Sequence, residues 1–275
     1  MYWLPGAAKI AGISVRSFPG RVRLVGRRLG RARFLGFSPS PRRVVVWRDA
    51  ALDLLFPPRC AVCERNGSPL CALCVEEFVR ADGNRCPRCW SPVARGSSQI
   101  CATCQTDPPS FDGLRAAFVY EGNVRDAVLA LKYEGLSSLD RPLVAEVDLD
   151  AVTPKRAVVD VVTAVPMSGR RRRRRGYNQA EALGRALATR LEIPFDGDLL
   201  LRVRHVPQQA RQPDLTARRT NVAGAFAADR RRAQGRGVLV VDDVTTSGAT
   251  LGACAEALRD VEARAVYTWA LARED

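Results

Sequence analysis

Residues 238–250 read VLVVDDVTTSGAT. Val238, Leu239, Val240 and Val241 make a short, uninterrupted and mostly β-branched apolar run, as expected of a parallel strand buried on both faces. Asp242 and Asp243 follow at its carboxyl end. Thr245, Thr246, Ser247, Gly248, Ala249 and Thr250 then supply hydroxyls, a glycine for tight turning, and the unpaired N–H groups of a helix predicted over residues 251–258. A phosphate takes backbone N–H donors at a helix start, and a sugar diol beside it takes carboxylate acceptors, so this order of residues reads as an anion cradle next to a ribose site. The plainer alternative is a strand, a turn and a helix capped by Asp243 or Thr246. A phosphoacceptor pocket also places acids at a strand end, but it does not require the threonine and glycine loop. The chain has no Walker A lysine and no GxGxxG, which disfavours a P-loop or dinucleotide fold.

The length of 275 residues admits one α/β domain plus a smaller unit, and 47% hydrophobic residues suffice for a core. The formal net charge is +14, yet eleven basic residues and no acid fall in the first 48 positions. Residues 1–46 show no sustained period and are expected to be a disordered extension. A start assigned too far upstream and a basic arm for nucleic acid or membrane are its two readings, the former favoured. Residues 47–56 (WRDAALDLLF) repeat apolar positions at helical spacing before Pro57 and Pro58.

Eight of the nine cysteines form four CxxC pairs. With no secretory signal and no apolar run long enough to span a membrane, metal binding is expected rather than disulfides, and the protein is placed in the cytoplasm. Cys60, Cys63, Cys71 and Cys74 make one quartet; Cys86, Cys89, Cys101 and Cys104 make another. Each suits a tetrahedral Zn²⁺, whose filled d shell opposes no geometry. A closed four-cysteine site leaves no open position for substrate, so the role is structural. An interleaved pairing is the alternative, as are catalytic dithiols. The module is assigned to residues 47–107 and the catalytic-type domain to 108–275.

In that second part FDGLRAAFVY reads as a strand, Asn123 as the cap of a helix through Lys132, residues 139–147 as a further helix, and residues 157–165 as a strand stopped by Pro166. Ser168 and Gly169, which permit close backbone approach, precede six arginines at 170–175, read as a loop at a strand's carboxyl end. Arg170 and Arg171 are assigned with them to a pyrophosphate, which guanidinium groups match in bidentate fashion; a solvated basic face is the ordinary meaning of such a run. Residues 204–226 are polar and rich in arginine and glutamine, fitting a mobile lid or a plain surface loop. His205 is the only histidine, so a histidine-based catalytic unit is poorly supported, and Cys254 is expected in the core. Residues 264–272 supply a last strand.

The 242–250 pattern is similar to the phosphoribosyl pyrophosphate signature of type I phosphoribosyltransferases. In that resemblance Asp242 and Asp243 face the ribose hydroxyls, directly or through Mg²⁺, and Thr245 to Thr250 hold the 5′-phosphate. Taken with LLFPPRCAVC, LKYEG, RRGYNQAEALGRAL, the QQ to RRTNVAGAF stretch and VLVVDDVTTSGATL, in this order, the chain from about residue 47 resembles the ComF family. The resemblance implies a type I phosphoribosyltransferase-like parallel sheet with helices on both faces, behind a zinc-ribbon module, in a bacterial cytosolic protein; some members are linked to DNA uptake in natural competence. Two function classes follow. One is a protein that binds phosphoribosyl pyrophosphate with Mg²⁺ and uses Asp242 and Asp243 to stabilise developing positive charge. The other is a single-stranded DNA-binding accessory of transformation or recombination in which the phosphoribosyl site is a sensor or a relic. The acceptor pocket is not readable, because the variable hood of type I enzymes is here replaced by the zinc module.

Overall fold

The structure, a computed structural model, describes residues 58–94, 100–133, 137–155, 157–204 and 224–275. The basic extension, the helix expected at 47–56, His205 and residues 205–223 of the expected lid lie outside them. Each cysteine quartet carries one short helix, α1 (Ala72–Glu76) and α2 (Ala102–Thr106), that begins directly after a cysteine. The chain then enters β1 (Gly113–Val119), α3 (Gly122–Tyr133), α4 (Asp140–Ala145) and β2 (Val161–Ala164). It continues through α5 (Gly169–Arg175), α6 (Gln179–Leu191) and the antiparallel pair β3 (Leu200–Arg202) and β4 (Phe226–Ala228). A single turn α7 (Arg230–Ala233) leads to β5 (Gly237–Thr245), α8 (Ala249–Asp260) and β6 (Ala265–Arg273).

Four strands form one parallel sheet in the order β1-β6-β5-β2. The apolar run that opened the sequence reading lies inside it, and its alternate residues feed two cores, as the period of a strand requires. Leu239 and Val241 join Trp269 and Leu271 against α3, α4 and α6, through Val128, Leu131, Leu143, Leu183 and Leu187. Val238 and Val240 join Val266 against α8 and the β3–β4 hairpin, through Leu251, Cys254, Leu258, Leu200 and Phe226. Helices therefore cover both faces. Cys254 is fully buried in the second core. A glycine is required at 184 because a Cβ there would come within 2.8 Å of the Phe195 ring, which lets α6 lie close on the sheet.

Three local expectations are corrected. β2 starts at Val161 rather than 157, because Asp160 spends its carboxylate on the Gly237 N–H at 2.7 Å and on Arg264 at 2.8 Å, anchoring the entry instead of extending the ladder. Asn123 does not cap α3. It lies inside the helix, which opens on Gly122 at φ +47, and its amide donates to the Cys74 carbonyl at 3.2 Å and to Glu77 at 2.8 Å. α8 begins two residues earlier than expected and ends two later.

Candidate functional site

The site arises from unequal strand lengths. β2 pairs with β5 only from Val161↔Val238 to Ala164↔Val241. One more ladder bond joins the Val165 N–H to the Val241 carbonyl at 2.9 Å, and Pro166, with no N–H, then ends the pairing. β5 instead continues along β6 through Asp242↔Ala270 and Thr245↔Arg273. The acids thus lie within β5, not after it, on the stretch where its β2 edge is uncovered. A parallel sheet places its ligand crevice where neighbouring strands part in this way.

Asp242 and Asp243 line one cavity of about 410 Å³ with Lys132, Tyr133, Arg171, Arg175, Gln179, Arg202 and Thr250. Lys132 Nζ, in the last turn of α3, lies 3.4 Å from Asp243 Oδ2. Burial, and then the charge of Asp243 beside it, pushes the Asp242 carboxyl up to about 8. Two adjacent carboxyl groups thus stand beside one ammonium, with three guanidinium groups on the same cavity.

The loop after β5 is held from both sides. The Thr245 carbonyl accepts from the Glu274 N–H at 2.9 Å, and Gly248, at φ +75, is the N-cap of α8 and rests against the Phe111 ring. Only glycine adopts this left-handed turn at no steric cost. The Ser247 hydroxyl accepts from the Ala249 N–H at 3.4 Å. Thr245 is buried, and Thr246 and Thr250 are half-buried. The helix dipole and first-turn N–H groups of twelve-residue α8 favour an anion here. Thr250 faces the acid cavity, whereas Ser247, Gly248 and Ala249 line a neighbouring cavity of about 290 Å³ with Cys89, Phe111 and Glu256.

The arginine run is a helix, not a loop. Arginine is a good helix former, the Ser168 hydroxyl caps α5 by accepting from the Arg171 N–H at 3.4 Å, and Gly176 ends it at φ +82. Helical spacing sorts the six side chains: Arg171 and Arg175, four apart, line the acid cavity. Arg172 lies 3.6 Å from Glu181. Residues 169–174 are all exposed, and Arg175 is half-buried.

Four cavity residues escape the sequence reading. Lys132 and Tyr133 belong to the quoted LKYEG stretch, which is the signal that could have found them. Tyr133 is 64% exposed, with the Arg175 guanidinium 5.0 Å from its ring. Gln179 is buried; its Oε1 accepts from Arg175 at 3.3 Å, and its Nε2 has no partner. Arg202 sits on β3, where burial and then the charge of Arg171 lower its pKa.

The cysteines fall into two adjacent quartets, each with its sulfurs within 4.8 Å of one another. Pairs at 3.8 Å (Cys60 and Cys74) and 3.6 Å (Cys63 and Cys71, Cys89 and Cys101) match the edge of roughly 3.8 Å that a tetrahedron with Zn–S bonds of about 2.3 Å requires. Both quartets use the same turn. The N–H of Glu64 returns to the Cys60 carbonyl at 2.8 Å and that of Trp90 to Cys86 at 3.0 Å, each residue in the left-handed region at φ 58 and 62. Burial opposes ionisation of Cys60 and Cys86, but backbone N–H donors outweigh it and bring the thiols to about 6 and about 7. Each quartet is a four-cysteine site that fits one Zn²⁺.

Residues 51–105 match the double zinc ribbon domain family and residues 178–274 the phosphoribosyl transferase domain family. Over 210 residues, 74% of this chain and 90% of the relative, the sequence is 32% identical to DNA utilization protein YhgH of Escherichia coli K12. The chain belongs to the ComF family. Competence protein F of Haemophilus influenzae is 29% identical over 228 residues, covering 79% of this chain and 98% of that protein. Competence protein ComFC of Bacillus subtilis is 24% identical over 222 residues, 78% of this chain and 83% of that one. Among solved structures, glutamine phosphoribosylpyrophosphate amidotransferase from B. subtilis aligns at a TM-score of 0.30 and 25% identity, over 50% of this chain and 26% of that one. Among the described residues of this ComF protein, no helix is long and apolar enough to cross a membrane.

Proposed function

We propose that this ComF protein binds phosphoribosyl pyrophosphate with Mg²⁺ in the cavity under Asp242 and Asp243, and transfers the phosphoribosyl group in the cytoplasm. The observation that carries this reading is the meeting of two carboxyl groups, Lys132, Arg171, Arg175 and Thr250 around one cavity at a parted strand edge. Ser168 to Arg171 would hold the pyrophosphate and Thr245 to Thr250 the 5′-phosphate. The acid pair fits a divalent cation: oxygen donors suit Mg²⁺, and Asp242 and Asp243 are adjacent carboxyl groups on one cavity. Asp242 and Asp243 would hold the Mg²⁺, which when bound would neutralise the substrate's phosphates. In transfer, the bond from ribose C1 to the pyrophosphate oxygen breaks, pyrophosphate leaves with the electron pair, and an acceptor forms the new bond at C1. The carboxylates stabilise the positive charge on the ring, and Arg171 the charge on the leaving group. Residues 47–107 act as a zinc module and 108–275 as the domain that holds this site. The test is calorimetry with phosphoribosyl pyrophosphate and Mg²⁺, together with pyrophosphate release across a panel of nucleobases.

A second reading rests on the exposed ring of Tyr133 next to Arg175 and the exposed arginines of α5. A ring at the mouth of a basic cavity is a stacking platform for single-stranded DNA. The relatives named for DNA utilization and competence support a DNA-linked role. Tyr177 offers less of its ring, being half-buried with its hydroxyl donating to the Leu131 carbonyl. Competition between phosphoribosyl pyrophosphate and DNA for binding separates a shared site from two independent ones.

A further inference from the structure

The second cysteine quartet and the phosphate loop meet at the end of the sheet. Arg273, the last residue of β6, is 5% exposed. Its backbone pairs in register with Thr245, where the loop begins, and the next residue, Glu274, donates its N–H to the Thr245 carbonyl at 2.9 Å. The Arg273 side chain points the other way, donating from Nη1 to the carbonyl of Cys89 at 2.8 Å and from Nη2 to the hydroxyl of Ser91 at 2.8 Å. Ser91 in turn lies 3.2 Å from Cys89 Sγ. One residue therefore joins a metal-ligating turn to the strand end that launches the loop. The cavity of about 290 Å³ shows the same adjacency, having Cys89 on one wall and Ser247, Gly248 and Ala249 on another.

Charge gives this tie its strength. Four thiolates on a divalent ion form an anionic cluster, and the second quartet is flanked by Arg273 and Arg115. The latter lies 4.2 Å from the Trp90 ring and donates to the Pro87 carbonyl at 2.9 Å. The buried Arg273 guanidinium has one counter-charge in Asp275, whose Oδ1 lies 3.4 Å from its Nε, and the thiolate cluster adds a second, which matters because a poorly compensated buried ion is costly. The first quartet is fastened elsewhere. Asn123 donates to the Cys74 carbonyl near the start of α3, roughly 14 Å of helix from Lys132 at 1.5 Å per residue.

We propose that Arg273 is a positioning residue through which the second cysteine quartet, and not the first, sets the phosphate loop; for ligand affinity this rests on the phosphoribosyl pyrophosphate reading. Outer partners of metal ligands orient what they touch, and their loss typically costs about tenfold or more. The test uses the full zinc-loaded chain, with Ser91→Ala and Arg273→Lys weakening the tie at either end and Asn123→Ala cutting the first quartet's tie as control. Two readouts are taken: hydrogen exchange of the backbone amides of residues 245–249, and affinity for phosphoribosyl pyrophosphate with Mg²⁺. Ser91→Ala and Arg273→Lys are expected to speed exchange about tenfold and to weaken binding about tenfold, with two zinc ions retained, while Asn123→Ala changes neither. Unchanged exchange in both Ser91→Ala and Arg273→Lys, or equal acceleration in Asn123→Ala, overturns the proposal. Absence of ligand binding in the unsubstituted protein counts against the proposed function alone, because the exchange readout still decides the coupling.

Discussion

Lys132 Nζ stands 3.4 Å from Asp243 Oδ2, joining the end of α3 to the acid pair of β5 across the mouth of the cavity. It is the nearest ammonium to two carboxyl groups, and it opposes the upward shift of Asp242. Lys132→Met is expected to weaken phosphoribosyl pyrophosphate binding by about tenfold, or about 1.4 kcal/mol, with little change in fold content by circular dichroism. Affinity unchanged in that variant removes Lys132 from the site.

The raised pKa of Asp242 has a definite sign in stability. In the folded protein this carboxyl titrates at about 8, above its ordinary 3.8, so the folded state binds the proton more tightly than the unfolded state. Its contribution is therefore most favourable below pH 4 and is lost as pH rises from about 4 to about 8. Asp242→Asn removes that loss, and at pH 8 its melting temperature should exceed that of the unsubstituted protein, while the difference shrinks at pH 5. A variant that melts lower at pH 8 contradicts the assignment of an acid whose pKa is raised by burial and by Asp243.

Zinc analysis should return two ions per chain. A structural Zn²⁺ site is worth roughly 10 to 16 kcal/mol apparent, more than two short helices and a few turns can replace. Chelation should abolish protection of residues 58–107, and the phosphoribosyltransferase-like core should persist. One zinc per chain, or none, counts against the pair of quartets.

The two faces of α5 give a prediction for DNA. Arg171 and Arg175 line the cavity, whereas Arg170, Arg173 and Arg174 do not. Tyr133→Ala should lower single-stranded DNA affinity by about 1 to 3 kcal/mol if its ring stacks a base. Removal of Arg170, Arg173 and Arg174 should flatten the log-log salt slope by about 0.7 for each phosphate left without its guanidinium. DNA affinity that survives both changes, but disappears with residues 1–45, assigns binding to the extension.

What is legible in the sequence follows from chemistry that is local. The VLVVDD run, the threonine and glycine loop and four CxxC units each carry their meaning within a few residues, and the structure places them in a parallel sheet, a helix start and two thiol quartets. The arginine run reads as a loop only when its charge is weighed above its helix propensity and its Ser168 cap. Lys132 reaches Asp243 from α3 and Arg202 lines the same cavity from β3, so no spacing within the acid motif places them there. The strand end reads as too early for a related reason: β5 outlasts β2 because β6 continues beside it, a fact of pairing rather than of composition.

The central claim is that Asp242 and Asp243 make a phosphoribosyl pyrophosphate site, and titration calorimetry tests it most directly. The unsubstituted protein should bind phosphoribosyl pyrophosphate only when Mg²⁺ is present, and the double variant Asp242→Asn, Asp243→Asn should remain folded with no measurable heat of binding. Equal affinity in the double variant, or no binding by the unsubstituted protein, contradicts the account.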